Sequence, residues 1–240
     1  MSQAIAVLSS AAAAMPDKLS EAEVRAWLEK GPLAPVIEEW IVWNNSPLRH
    51  VPLVTLQQFF PEKIYHSFLE DVRVRVAVDR ALRTKLSWDE PVSWAPNDPL
   101  WKIAMLAPER FQRLALLGVA FTLHQEITQI IDGSIIRLLR KEIGEDLIQF
   151  VLFSSMPSQY FLEPMRQELG AFENHVEVLQ RGAIILVEHA FSSKENGIQK
   201  RIATKLPGCF AQGCCKEALP WASEAEKILS TLWKETSSWI

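Results

Sequence analysis

Apolar residues recur at helical spacing through most of the chain. In PERFQRLALLGVAFTLH, Phe111, Leu114, Leu117, Val119 and Leu123 line one side of a helix that Pro108 can open. Arg181 to Phe191 predicts a second, mostly apolar helix. Ala225, Ile228, Leu229 and Leu232 give the face of a third, for which Ser223 and Glu226 supply a capping-box pattern. The stretch DGSIIRLLRKEIGEDLIQFVLF reads as a helix pair. Ile135, Ile136, Leu139 and Ile143 form one stripe, with Ser134 as the expected N-cap and Gly144 in the left-handed position that ends a helix. Glu145 and Asp146 favour the positive end of the next helix, and Leu147, Ile148, Val151 and Leu152 continue the apolar face.

The first half shows weaker signals of the same kind. Ser20 and Glu23 form a capping-box pattern before VRAWLEK, which Gly31-Pro32 stops. Pro35 opens a short amphipathic piece ending near Trp43, and Pro61 opens a long helix reaching Leu86. Within it, DVRVRVAVDR alternates strictly, which is a strand signal. No turn residues bound the alternation and both flanks look helical, so helix is the reading. Residues 88 to 101, WDEPVSWAPNDPLW, carry three prolines, three tryptophans and three acids with no base. Proline disfavours helix and sheet alike, so this segment reads as an ordered linker. Pro157 and Pro164 mark further breaks. The expected fold is all-α: an Ala-rich tail over 1–19 and one irregular multi-helix domain over 20–240, with 88–100 as the place where two lobes would join.

Composition narrows the chemistry. A 240-residue chain with 48% hydrophobic residues can bury a core without staples. The net charge of -4 gives no basic footprint for nucleic acid or an anionic membrane. No apolar run reaches the ~20 residues of a spanning helix. The first fifteen residues lack the basic n-region of a signal peptide. Nine glycines argue against a fold built on tight turns. Three cysteines fit no disulfide framework and point to a reducing compartment.

No catalytic, metal or cofactor constellation emerges. Asp132-Gly133-Ser134 lacks the glycines and the Lys-Ser/Thr pair of a phosphate loop. His124-Gln125-Glu126 fails the H-E-x-x-H metalloprotease pattern. Cys209, Cys214 and Cys215 provide no fourth zinc ligand, and a nucleophilic cysteine needs a positioned histidine. On the helix pair, Arg137, Arg140 and Lys141 project from the apolar stripe, but Asp132, Glu142, Glu145 and Asp146 balance them, which disfavours DNA reading. These three basic residues remain candidates for contacting a protein partner. So do Trp88 and Trp94, because tryptophan is enriched at binding hot spots.

Three segments carry a family resemblance: SPLRHVPLVTLQQFFPEKI; LAPERFQRLALLGVAFTLHQEITQIIDGSIIRLLRKEIGEDLIQFVL, with its Leu117-Gly118 and Leu123-His124 pairs; and RGAIILVEHAF followed by IQKRIATKLP, ending in Leu206-Pro207. Together they cover most of residues 46 to 235. The chain resembles the K component of the bacterial type III secretion sorting platform, the YscK/MxiK/OrgA family. The Ala-rich start and the cysteine cluster have no counterpart in that pattern. The resemblance implies a cytosolic adaptor without enzymatic activity or cofactor, peripheral at the inner face of the inner membrane within the injectisome. Its partners would be the pod protein of the platform and the cytoplasmic domain of the inner-membrane ring protein, and indirectly the stator and export ATPase. The competing expectation is a cytosolic helical regulator or chaperone that binds one partner helix.

Overall fold

A computed structural model of the chain describes residues 34–60, 71–88, 90–95, 97–130, 132–153, 163–169 and 175–237. Among these residues twelve α-helices and one 3₁₀ turn form, with no strand, so the fold is all-α as expected. The Ala-rich tail, the Ser20/Glu23 capping box, Pro61 and Pro157 lie outside the described residues. The chain divides into two compact units, Met1–Ala107 and Pro108–Ile240.

The first unit contains α1 (Ala34–Asn45), a 3₁₀ turn (Pro47–Arg49), α2 (Leu53–Gln57), α3 (Val72–Lys85) and α4 (Pro99–Met105). The alternating stretch is helical. Its helix starts at Val72 rather than continuing one from Pro61, because the Asp71 carboxylate accepts the Arg73 amide at 2.8 Å and caps the first turn. The other end closes in a Schellman motif. Ser87, at φ 56°, donates its amide to the Thr84 carbonyl at 3.2 Å, and the Trp88 amide donates to the Arg83 carbonyl at 2.8 Å. Trp88 then folds back into an apolar cluster with Val51, Leu56, Val78 and Leu82. One charge sits beneath this layer. Asp79 is 6% exposed, and its carboxylate accepts the Leu48 amide at 3.0 Å, tying the 3₁₀ turn to α3. Burial pushes the Asp79 carboxyl up, against the bonds from Leu48 and Ser46 and the nearby Arg75 and Arg49.

The expected linker over 88–100 is instead packed inside the first unit, and the division falls after Ala107. Tryptophans explain this. Trp94 packs edge-on between Trp40 and Trp101, with ring centroids at 5.4 and 5.0 Å. The Trp40 indole donates to the Val92 carbonyl at 3.0 Å, and the Trp101 indole to the Ser93 carbonyl at 2.9 Å. The Asn44 side-chain oxygen accepts the Val92 amide at 2.8 Å. Proline removed the regular ladder, and side chains of α1 and α4 supply the missing partners.

The second unit contains α5 (Pro108–Thr122), α6 (His124–Thr128), α7 (Gly133–Ile143), α8 (Glu145–Phe153), α9 (Glu163–Leu169), α10 (His175–Phe191), α11 (Asn196–Lys205) and α12 (Ala222–Thr236). Its centre is α10 packed on α5 and α12. All the stripe residues expected on α5 and α12 are buried. Two glycines let the backbones approach. A Cβ on Gly118 would meet Leu186 at 2.5 Å, and one on Gly182 would meet Val119 at 2.6 Å. Two end signals differ from expectation. Pro164 sits in the first turn of α9, where proline is tolerated, rather than at a break. The first turn of α12 follows Trp221 with no side-chain cap bond, and the Glu226 carboxylate faces the Lys194 amine at 3.7 Å.

Residues 206–221 have no regular structure, yet side chains of α10, α11 and the turn between them hold them. Glu188 accepts the Phe210 amide at 2.5 Å, Gln199 the Cys215 amide at 2.7 Å, and the Ser192 hydroxyl the Leu219 amide at 2.9 Å. The His189 ring stacks on Trp221 with centroids 3.5 Å apart.

Candidate docking surface

The α7–α8 pair is built as a bracket with an inner and an outer side. Asp132, not Ser134, is the N-cap of α7: its carboxylate accepts both the Ser134 amide and the Ser134 hydroxyl at 2.7 Å. The hydroxyl and amide of Ser134 together hold the Asp132 carboxyl below its ordinary value. Asp competes well for this position because its charge also meets the positive helix end. At the other end Gly144 has φ 104° and donates its amide to the Arg140 carbonyl at 3.0 Å. A Cβ there would come within 2.8 Å of the Asp146 carboxylate, so glycine is required on both counts.

The inner side is anchored. Leu139, Ile143, Leu147, Ile148 and Val151 are buried, and Asp146 pairs with Arg113 of α5. The outer side carries the predicted cations: Arg137, Arg140 and Lys141 are all exposed. They are not equivalent. Arg140 reaches Glu145 at 3.1 Å, whereas among the described residues neither Arg137 nor Lys141 has an ion-pair partner. Leu138, which lies outside the expected apolar stripe, is 46% exposed beside them. Its angular position on the helix gives it away, since it falls between Lys141 and Glu142 rather than with Leu139. Phe153, at the last turn of α8, is 83% exposed and was also missed. The outer side of α7 thus sets an exposed leucine between Arg137 and Lys141 on one side and Glu142 on the other, an apolar residue with a charged rim suited to another protein surface.

The other candidates are placed differently. Trp88 is fully buried as the apolar residue that closes the Schellman motif, so it presents no surface to a partner. Trp94 is half-buried between two other indoles. Cys209 is buried, and Cys214 and Cys215 are half-exposed free thiols. Burial, then the Glu188 carboxylate, then a neighbouring thiol push both Cys209 and Cys215 up, the direction opposite to thiolate activation. Among the described residues no group of three or more His, Cys, Asp or Glu is arranged to hold a metal ion. No described helix is long and apolar enough to cross a membrane. His124 begins α6 at the junction with α5, a helix-end position.

No protein-family model, curated protein or solved structure matches the chain.

Proposed function

We propose that the chain is a non-enzymatic adaptor of the bacterial type III secretion sorting platform. It joins the cytoplasmic domain of the inner-membrane ring protein to the pod protein, and through the pod to the stator and export ATPase. The resemblance of three segments over residues 46 to 235 names the system. The observation that carries the adaptor role is the outer side of α7, where Arg137 and Lys141 lie beside exposed Leu138 on a helix anchored by Leu139 and Ile143. Charges at such a rim steer a partner more than they hold a fold.

The test is the triple variant Arg137→Glu/Arg140→Glu/Lys141→Glu, compared with wild type in separate pull-downs with the pod protein and the ring protein's cytoplasmic domain. Circular dichroism and Tm should stay nearly unchanged, while binding to one partner weakens roughly tenfold from three lost charge pairs. Unchanged binding to both removes the α7 face from the adaptor. Failure of the wild-type chain to bind either partner overturns the adaptor reading itself.

A further inference from the structure

The valine alternation of α3 has a geometric consequence. At about 100° per residue, Val72 and Val76 fall within about 40° of each other, and Val74 and Val78 fall on the opposite side. A period-two pattern wound into a helix must therefore leave a pair of valines outside. Val78 is buried and Val74 packs against the cluster around Trp88, while Val72 and Val76 are 61% and 52% exposed. Arg73 and Arg80 are exposed along one side of them, and Ala77 and Ala81 are exposed further round the helix. The helix contains one acid, Asp79, and it is turned inward beneath the 3₁₀ turn. Among the described residues Arg73 and Arg80 make hydrogen bonds through their backbones alone. In a chain of net charge -4, this is an unshielded apolar pair with a cationic row along one side.

We infer that this face of α3 docks an acidic amphipathic helix from a partner protein. Val72 and Val76, one turn apart, match the spacing at which a helix presents its own apolar stripe. The Arg73 and Arg80 guanidiniums, both on the same side of the valines, offer forked donors suited to carboxylates along one flank of the partner. A lipid surface fits less well, because interfacial helices use bulky Leu, Phe or Trp and this face has none. A nucleic acid fits less well too, because base edges are read by polar side chains and here two exposed valines adjoin the arginines. The inference concerns a different unit from the α7 face and holds or fails independently of the secretion assignment.

The test uses the full chain and two synthetic helical peptides with the same leucine row, one flanked by Glu and one by Lys, in fluorescence anisotropy titrations. The Glu peptide should bind, and binding should weaken with added salt. Val72→Ser/Val76→Ser should lose about tenfold or more in affinity. Arg73→Glu/Arg80→Glu should lose the Glu peptide and gain the Lys peptide, an exchange that unfolding cannot mimic. Wild-type binding to neither peptide, or equal binding to both, overturns the inference. So does tighter binding to phosphatidylglycerol vesicles or to duplex DNA than to the Glu peptide. A doubled mass in sedimentation that Val72→Ser/Val76→Ser abolishes would assign the face to a second copy of the chain and overturn it as well.

Discussion

In the first unit Trp40 and Trp101 fill the core and donate hydrogen bonds, whereas the centre of the second, α5, α10 and α12, meets through apolar side chains and glycines. Trp40 and Trp101 each fill space with a ring and satisfy a backbone carbonyl of the 90–95 stretch with an indole N–H. In the second unit α5, α10 and α12 satisfy their own backbones, so their contact can be purely apolar and close enough to need Gly118 and Gly182. The difference follows from the chain itself. Where proline removes the helical ladder, the core must supply hydrogen bonds as well as bulk, and indole does both. Where the ladder is intact, packing density alone is needed.

The comparison can be broken most directly in the second unit. Leu139 is fully buried on the inner side of α7, and Leu139→Ala should destabilise by about 2–5 kcal/mol in a chemical denaturation curve. A curve that overlays wild type would show that the inner side of α7 does not depend on packing. Trp101→Phe sharpens the contrast from the other side, because it keeps a ring and deletes the donor to the Ser93 carbonyl. A loss of about 1–3 kcal/mol is expected from the stranded acceptor and the smaller ring. A neutral result would reduce the indole to bulk and erase the distinction between the units.

Smaller effects probe the first unit's special backbone and its buried charge. Ser87 holds a left-handed conformation that glycine adopts freely, so Ser87→Gly should stabilise by roughly 0.5–1 kcal/mol. A drop in Tm would mean the Ser87 side chain does more than endure its φ. Burial holds the folded pKa of Asp79 above the ordinary carboxyl value of 3.8. Its favourable contribution is therefore complete below that value and is lost as pH rises through the folded pKa. Asp79→Asn keeps an acceptor for the Leu48 amide without the charge. The Tm difference between Asn and wild type should grow in favour of Asn as pH climbs from about 4 through the folded pKa, then level off. A pH-independent difference would place the ionisation elsewhere.

Much of the second unit was legible in the sequence because amphipathic helices announce their inner faces. The stripes on α5 and α12, the Leu139 and Ile143 half of the stripe on α7, and Gly144 at a helix end are where periodicity put them, while Ile135 and Ile136 are only half-buried. Caps were less legible, since adjacent polar residues compete for one role. Asp132 takes the position expected of Ser134, and the Ser223/Glu226 pair does not cap α12. The 88–100 stretch misled because its composition shows only what the backbone cannot do. The side chains of Trp40, Asn44 and Trp101, distant in sequence, decide that it packs. Of the docking surface, Arg137 and Lys141 were visible from charge, while Leu138 needed its angle on the helix. Trp88 was misassigned because a Schellman closure calls for an apolar residue where a linker would show one exposed.

The stapled stretch 206–221 should show a sparse pattern of amide protection in hydrogen exchange. Amides in a loop ordinarily exchange quickly, but those of Phe210, Cys215 and Leu219 are each claimed by a side chain of Glu188, Gln199 or Ser192. These amides report on α10, α11 and the turn between them rather than on the loop, so the loop opens only when those anchors let go. For anyone inserting a tag or a recognition sequence, this stretch is a poor host despite its lack of helix. An added residue would shift three donors out of register with three fixed acceptors.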